Sequence, residues 1–533
     1  MKILLFKLSF TIILCSYLLP SFSQNWIAGY SYRKKITINK SKVTPTIVLY
    51  GQGDAEYKDL VNFPVFIEIT DPDLVHIAGS CGNKIQNIYG KDISFTLVGA
   101  TTPLNFQLES YDAETGKITC WVKIPLLSAD GSPSIATSFY FYYGSDILHD
   151  PYSTQSLNVW ADDYTSVWHM NQDELPAVTK NARAAVPGSD VIGGPGTDAD
   201  NYANAKLGKG IVLNGNSDSF NSGNENSTVI TISAWVKLNA IGTEQMIVTN
   251  DSLRMVNSTG VTDGYKLKIN ASGQLVFELH RISSIYSIQA ATPLLVNTWY
   301  YITGISMGTD ISLFVNGVRM GGKVGSPPRL GVGGSIKIGA SKQNGSYLNG
   351  TLDELRIQRA IRSPEWLKTE YTNQINPTEF YIVSAGEYNP ADFSKFIGTV
   401  NSAWDLPSNW SNNQVPGQNA NIVIAAGKTL DFTAAPTYEF NKVALEVGAK
   451  WIIRNITGIN CTATIDKNAT IKIEDNATLK FHAEVINNGL ITSGQTSGTL
   501  VFSGRTITQR FTGTGTAQVS RLEINPSPAD SFI

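Results

Sequence analysis

Histidine, charge and cysteine are the scarce resources of this chain. Its 533 residues hold five histidines, and none forms a His-x-x-x-His pair or a Cys/His cluster, which argues against zinc chemistry. Charged residues are 16% of the chain and the net charge is −3, so there is no basic face to hold nucleic acid. No Gly-x-Ser-x-Gly elbow and no P-loop occur, so neither a serine-hydrolase triad nor a nucleotide cradle has support. After the first twenty residues, no segment is apolar enough to span a bilayer.

That first segment reads as an export signal. Lys2 and Lys7 flank an apolar run from Leu8 to Leu19, and Ser21-Phe22-Ser23 offers a cleavage site before Gln24. Secretion is therefore expected, with residues 1–24 removed. Of the four cysteines, Cys15 leaves with the signal. Cys81 and Cys120 share one segment and could pair in an oxidising compartment, which would leave Cys461 as a single buried thiol.

What the chain has in quantity is hydrophobic residues, 42%, with abundant glycine, serine, threonine and asparagine. That composition suits several all-β cores with many tight turns, roughly three or four domains at this length. Residues 25–149 alternate apolar and polar in short runs such as Lys34–Ile38, Phe63–Ile69 and Ile118–Leu127, the pattern of antiparallel strands in a β-sandwich. In residues 150–387 strand-like runs continue. Ile232, Ala234 and Val236 share one side of their run and Ser233 and Trp235 the other. Asn316-Gly317 marks a two-residue hairpin, and Ser363-Pro364-Glu365 opens a helix through Tyr371. In residues 388–533 the phrase KNATIKIE is followed at once by DNATLKFH, an eight-residue echo that points to a β-solenoid-like repeat. The sequence ends at NPSPADSFI without an obvious cap, so the protein is expected to continue beyond Ile533.

Several phrases carry a family resemblance. VWHMN (Val167–Asn171), LGKGIVLNG (Leu207–Gly215), ITISAWVKL (Ile230–Leu238), ISLFVNGVRMGG (Ile311–Gly322) and GTLDELRIQRAI (Gly350–Ile361) together resemble a laminin-G-like domain of the concanavalin-A-like jelly-roll class. The first segment resembles an uncharacterised domain of bacterial surface proteins. Phe396–Gly427 resembles an opening phrase of secreted Bacteroidetes-type proteins. The fold class expected is all-β: an N-terminal sandwich, a jelly roll and a solenoid-like segment.

The resemblance implies a structural Ca²⁺ held by Asp353, with Asn171, Asp173 and His169 from the preceding loop, against a plainer role for Asp353 in a turn or ion pair. Asp263, in the phrase TDGY, reads as an ordinary turn residue. Sugar rings stack on exposed aromatics, and Tyr286, Tyr347 and Trp299 are the candidate ligand-binding residues, although aromatics mostly fill cores. Trp299 and Tyr301 share a face and Tyr300 takes the other. The Glu-x-Asp-x-x-Glu strand of glucanases with this fold is missing. The nearest acidic pair, Asp353-Glu354, is adjacent on a strand and expected to point to opposite faces. Enzyme activity is left open, with the residues leaning away from it. The expected function is non-catalytic binding of a glycan or cell-surface partner. The alternatives are the accessory region of a carbohydrate-active enzyme or a structural spacer.

Overall fold

The computed structural model describes residues 25–49, 55–150, 153–160, 163–171, 178–179, 191–193, 201–224, 229–256, 259–281, 284–307, 310–324, 334–342, 345–434, 437–503 and 510–525. The chain is nearly all β, as its composition predicts. The export signal and Asp173 lie outside the described residues.

The first sandwich packs a three-stranded sheet (Leu60–Thr70, Lys117–Leu127, Phe106–Asp112) on a four-stranded one. Alternation divides each strand between two environments. Val65, Ile67, Cys120 and Val122 enter the sandwich core, while Phe66 and Trp121 pack on its other side. Cys120 is thereby buried and free, and Cys81, on a surface loop, is disulfide-bonded to Cys461 of the solenoid. This corrects the expected Cys81–Cys120 pair: the strand's parity points Cys120 inward, away from any loop.

The four-stranded sheet runs Tyr381–Tyr388, Tyr30–Ile38, Ser138–Ser145, Ile93–Leu97. Its first strand comes from the far end of the segment read as the jelly roll, and pairs Tyr388 with Tyr32 and Tyr381 with Ile38. The jelly roll is thus an insertion between two strands of the first sandwich. Residues 381–387 belong with residues 25–149.

The jelly roll has two antiparallel sheets around one core. The first, called here the covered sheet, centres on Asn349–Gln358, Ile230–Leu238 and Trp299–Ser306. The second, the open sheet, includes Gln245–Thr249, Thr259–Ile269, Gln274–Arg281 and Ser284–Pro293. Ile232, Ala234 and Val236 enter the core between the sheets and Trp235 faces the other way, as their alternation requires. Asn316 and Gly317 take φ of 53° and 73°, the left-handed pair a type I′ hairpin turn needs. Ser363 caps the helix Pro364–Ile375, its Oγ accepting from Trp366 N at 3.2 Å, and the helix runs four residues past the expected end. Asp263 sits within a strand, opposite Ser252, and not in a turn.

The last segment is a parallel β-solenoid. Thr429, Lys450, Thr470 and Leu490 stack in register, so a coil takes 20 or 21 residues. The eight-residue echo has a different origin. Thr470–Ile473 and Thr478–Phe481 lie on different sheets, so the echo spans one corner of a single coil. Asn476 (φ 66°) turns that corner, and Asn468 (φ 64°) turns the corner before Thr470–Ile473, where earlier coils place Gly427 and Gly448. Trp404 and Trp410 close the upstream end of the core, with Trp404 edge-on to Phe432 at 4.5 Å.

Candidate functional site

The outer face of the covered sheet is buried against the three-stranded sheet of the first sandwich. Phe66, Trp121, Trp160, Tyr164, Trp235 and Tyr301 form the apolar part of this junction. Through it runs a chain of polar groups. His169 Nδ1 lies 2.6 Å from Glu354 Oε1 and its Nε2 3.1 Å from Gln107 Oε1. Arg356 Nη2 donates to Glu354 Oε2 at 2.7 Å and Nη1 to Glu370 Oε1 at 3.3 Å, with the guanidinium 4.2 Å from the Trp121 ring centre. Trp121 Nε1 donates to Glu109 Oε2 at 2.6 Å.

Glu354 reaches this layer because the strand bulges there. Asp353 opposes Trp235 and Arg356 opposes Ser233, so an extra residue is inserted between them, and Glu354 takes φ of 51°. The bulge overturns the expectation that Asp353 and Glu354 face opposite ways. Asp353, opposite Trp235, and Glu354, on His169 and Arg356, share the buried side. Burial and the neighbouring Glu354 charge push the Glu109 carboxyl up to about 8. Burial likewise drives Asp353 well above the carboxylate range. Burial opposes ionisation of Glu354 too, but His169 and Arg356 outweigh it and hold its carboxyl low.

The expected calcium set does not assemble on these residues. Asp353 Oδ2 accepts from Leu207 N at 2.8 Å, and His169 is engaged by Glu354, with Glu109 Oε2 3.9 Å away. Asn171 is half-buried. Glu109, His169 and Glu354 do converge, but a nitrogen and two carboxylates beside an arginine do not fit an ion that takes six to eight oxygens. The group is a buried ion network that joins two domains.

The three candidate aromatics lie on different surfaces. Trp299 packs at the junction with the first sandwich, on the same side as Tyr301, while Tyr300 packs on the jelly-roll core. Tyr286 is on an edge strand of the open sheet, against the jelly-roll core, with Lys323 Nζ 4.2 Å from its ring centre. Tyr347 is half-buried in the coil before Asn349–Gln358.

The outer face of the open sheet carries a different set. Lys266, Lys268, Glu278 and His280 alternate with the core residues Tyr265, Leu267, Phe277 and Leu279. Glu278 Oε1 lies 3.1 Å from Lys268 Nζ, and its Oε2 lies 3.0 Å from His280 Nε2. Lys268 also reaches Glu244 at 2.8 Å. Although burial pushes the Glu278 carboxyl up, hydrogen bonds from His280 and Lys268 hold it at about 2. Ser287, directly opposite Glu278, and Gln289 extend the row toward the sheet edge. On this face the donors and acceptors are fixed by one another and only 9–19% exposed. The alternation in YKLKI and VFELH was the signal that could have found it.

Two stacked antiparallel sheets with this strand order define a concanavalin A-like jelly roll. A family described as the concanavalin A-like lectin/glucanases superfamily matches residues 214–368. No curated protein matches the sequence. Similar solved structures include the binding domain of Paraclostridial Mosquitocidal Protein 1, at 18% identity and TM-score 0.30, covering 39% of this chain and 52% of that one. Another is domain 4 of AbnA, a GH43 extracellular arabinanase from Geobacillus stearothermophilus, in complex with arabinotriose, at 18% identity and TM-score 0.30, covering 39% of this chain and 98% of that one. A third is Ruminococcus gnavus IT-sialidase CBM40 bound to alpha2,3 sialyllactose, at 13% identity and TM-score 0.26, covering 30% of this chain and 96% of that one. The chain spans about half the length of the mosquitocidal binding domain. Among the described residues no helix is long and apolar enough to cross a membrane.

Proposed function

We propose that this chain is an exported, non-catalytic carbohydrate-binding protein whose jelly roll meets its ligand on the open sheet. One observation carries the reading. The covered sheet gives its outer face to the first sandwich, whereas the open sheet's outer face carries a row of mutually paired polar side chains that keep 9–19% of their surface exposed. Lys268, Glu278 and His280 brace one another, so a sugar hydroxyl meets donors and acceptors already held in place, with little ordering cost on binding. The family matched by residues 214–368 includes lectins by its description, which supports the ligand class. The signal-like N-terminus supports export. The test is a glycan array probed with residues 25–533, followed by Glu278→Gln. Specific binding lost in the variant supports the reading. No binding to any glycan, or binding indifferent to Glu278→Gln, overturns it.

A further inference from the structure

A cleft of 710 Å³ opens between the first sandwich and the outer face of the solenoid, far along the chain from the jelly-roll surface. Its volume falls within the roughly 300–1,000 Å³ of small-molecule sites. One wall comes from Tyr32 and Lys34, the loop around Lys84, and Tyr388. The other is a parallel sheet whose outward residues stack in register. Lys442, Thr462 and Glu484 form one row, and Ala444, Thr464 and Ile486 the next. Successive rungs stand about 4.8 Å apart. The walls are pinned beside the cleft by the Cys81–Cys461 disulfide and by Ser80 Oγ donating to Glu484 Oε2 at 2.8 Å.

The charges on the sandwich wall are already paired. Lys34 Nζ lies 2.6 Å from Asp71 and 3.2 Å from Asp73, and Lys84 Nζ lies 2.6 Å from Asp73. On the solenoid wall Lys442, Asp466 and Arg510 make no ion pair among the described residues. Lys442 touches only the Tyr32 hydroxyl, at 3.5 Å, among the described residues. Asp466 has no side-chain hydrogen bond or ion pair there, and both residues are half-buried. Desolvation shifts each toward its neutral form: Lys442 is lowered and Asp466 raised.

We infer that this cleft is a second binding site and that its ligand is a short neutral oligosaccharide. Cationic and anionic side chains line it in nearly equal number, so it offers no net field to an acidic or a basic ligand. A hydroxyl both donates and accepts, so hydroxyls on successive units of one oligosaccharide can serve the Lys442 ammonium and the Asp466 carboxylate, which stand two rows apart on the wall. A lone anion would serve Lys442 and Arg510 but would leave Asp466 unserved and would meet Glu446 and Glu484. Tyr388, half-buried and 5.7 Å from Tyr32 centre to centre, adds an aromatic surface for an apolar ring face.

The test uses residues 25–533 and isothermal titration with neutral hexose and pentose oligosaccharides beside matched uronic-acid oligosaccharides. Lys442→Ala and Asp466→Ala each remove a side chain that makes no ion pair among the described residues, and both are expected to keep the parent's melting temperature. Each should raise Kd for the neutral ligand about tenfold or more, the loss of one hydrogen bond to a charged group. Binding of acidic oligosaccharides alone, or neutral binding unchanged in both variants, overturns the inference. The jelly-roll reading is separated by Glu278→Gln. Binding lost only in that variant leaves the cleft without a role, and binding lost only in the Lys442 and Asp466 variants leaves the open sheet without one.

Discussion

The two sheets of the jelly roll share one core and one strand chemistry but differ on their outer faces. The covered sheet turns Trp235, Tyr301, Glu354 and Arg356 into a dry junction. The open sheet turns Lys266, Lys268, Glu278 and His280 outward, where each keeps 9–19% of its side-chain surface exposed. Ion pairs occur on both, and their consequences differ because of solvent. At the covered face the charges of Glu354, Arg356 and Glu370 are fully buried, so each must be matched by another. At the open face the pairs keep a small exposed fraction, and Lys268 is shared between Glu244 and Glu278.

That contrast can be broken most forcefully at Arg356. Arg356→Met leaves Glu354 and Glu370 buried without their cation and should cost roughly 3–5 kcal/mol in urea unfolding. A loss under about 1 kcal/mol would mean that water reaches the junction. Trp235→Phe keeps the ring but removes the Nε1 hydrogen bond to Gln374 at 2.6 Å, stranding a buried amide oxygen at a cost of about 1–3 kcal/mol.

The pH dependence sharpens the comparison further. Glu109 is neutral in the fold until about pH 8. Unfolded, it ionises near pH 4.3. Between those values the folded chain holds a proton that the unfolded chain has released, so stability is highest below the lower value and falls as pH rises through about 8. His169 acts in the same direction: burial lowers it, but the Glu354 carboxylate 2.6 Å away raises it, so its contribution is also lost as pH rises. Glu109→Gln should flatten a plot of unfolding midpoint against pH, and an unchanged slope would remove Glu109 as the cause. The smallest effect belongs to the open face. Glu278→Gln removes a charged partner from Lys268 and His280 and should cost about 1–2 kcal/mol in the same urea assay, while the array reports its effect on binding.

Much of this arrangement could be read along the chain. The alternation in Ile230–Leu238 assigned each residue its side, and Asn316-Gly317 and Ser363-Pro364 marked a turn and a helix start. Those signals are local, since they depend on strand parity, on left-handed φ and on a cap within three residues. The acidic pair was misread because a bulge depends on the partner strand. Nothing in TLDELRI marks that Glu354 is the extra residue opposite Ala234. The solenoid echo was visible, but it measured a corner and not the coil, because consecutive strands of one coil belong to different sheets.

Composition, parity and turn residues therefore determined an all-β chain by themselves, while the jelly roll was legible only as a resemblance of phrases and the repeat only as a local echo. Only the tertiary structure decided that Tyr381–Tyr388 returns to pair with Tyr30–Ile38, that Cys81 meets Cys461 rather than Cys120, and which face of the jelly roll stays in water. The reason is range. A strand's own pattern states that it has an apolar and a polar side, but the cover over either side comes from residues hundreds of positions away, whose contribution exists only once the domains have packed.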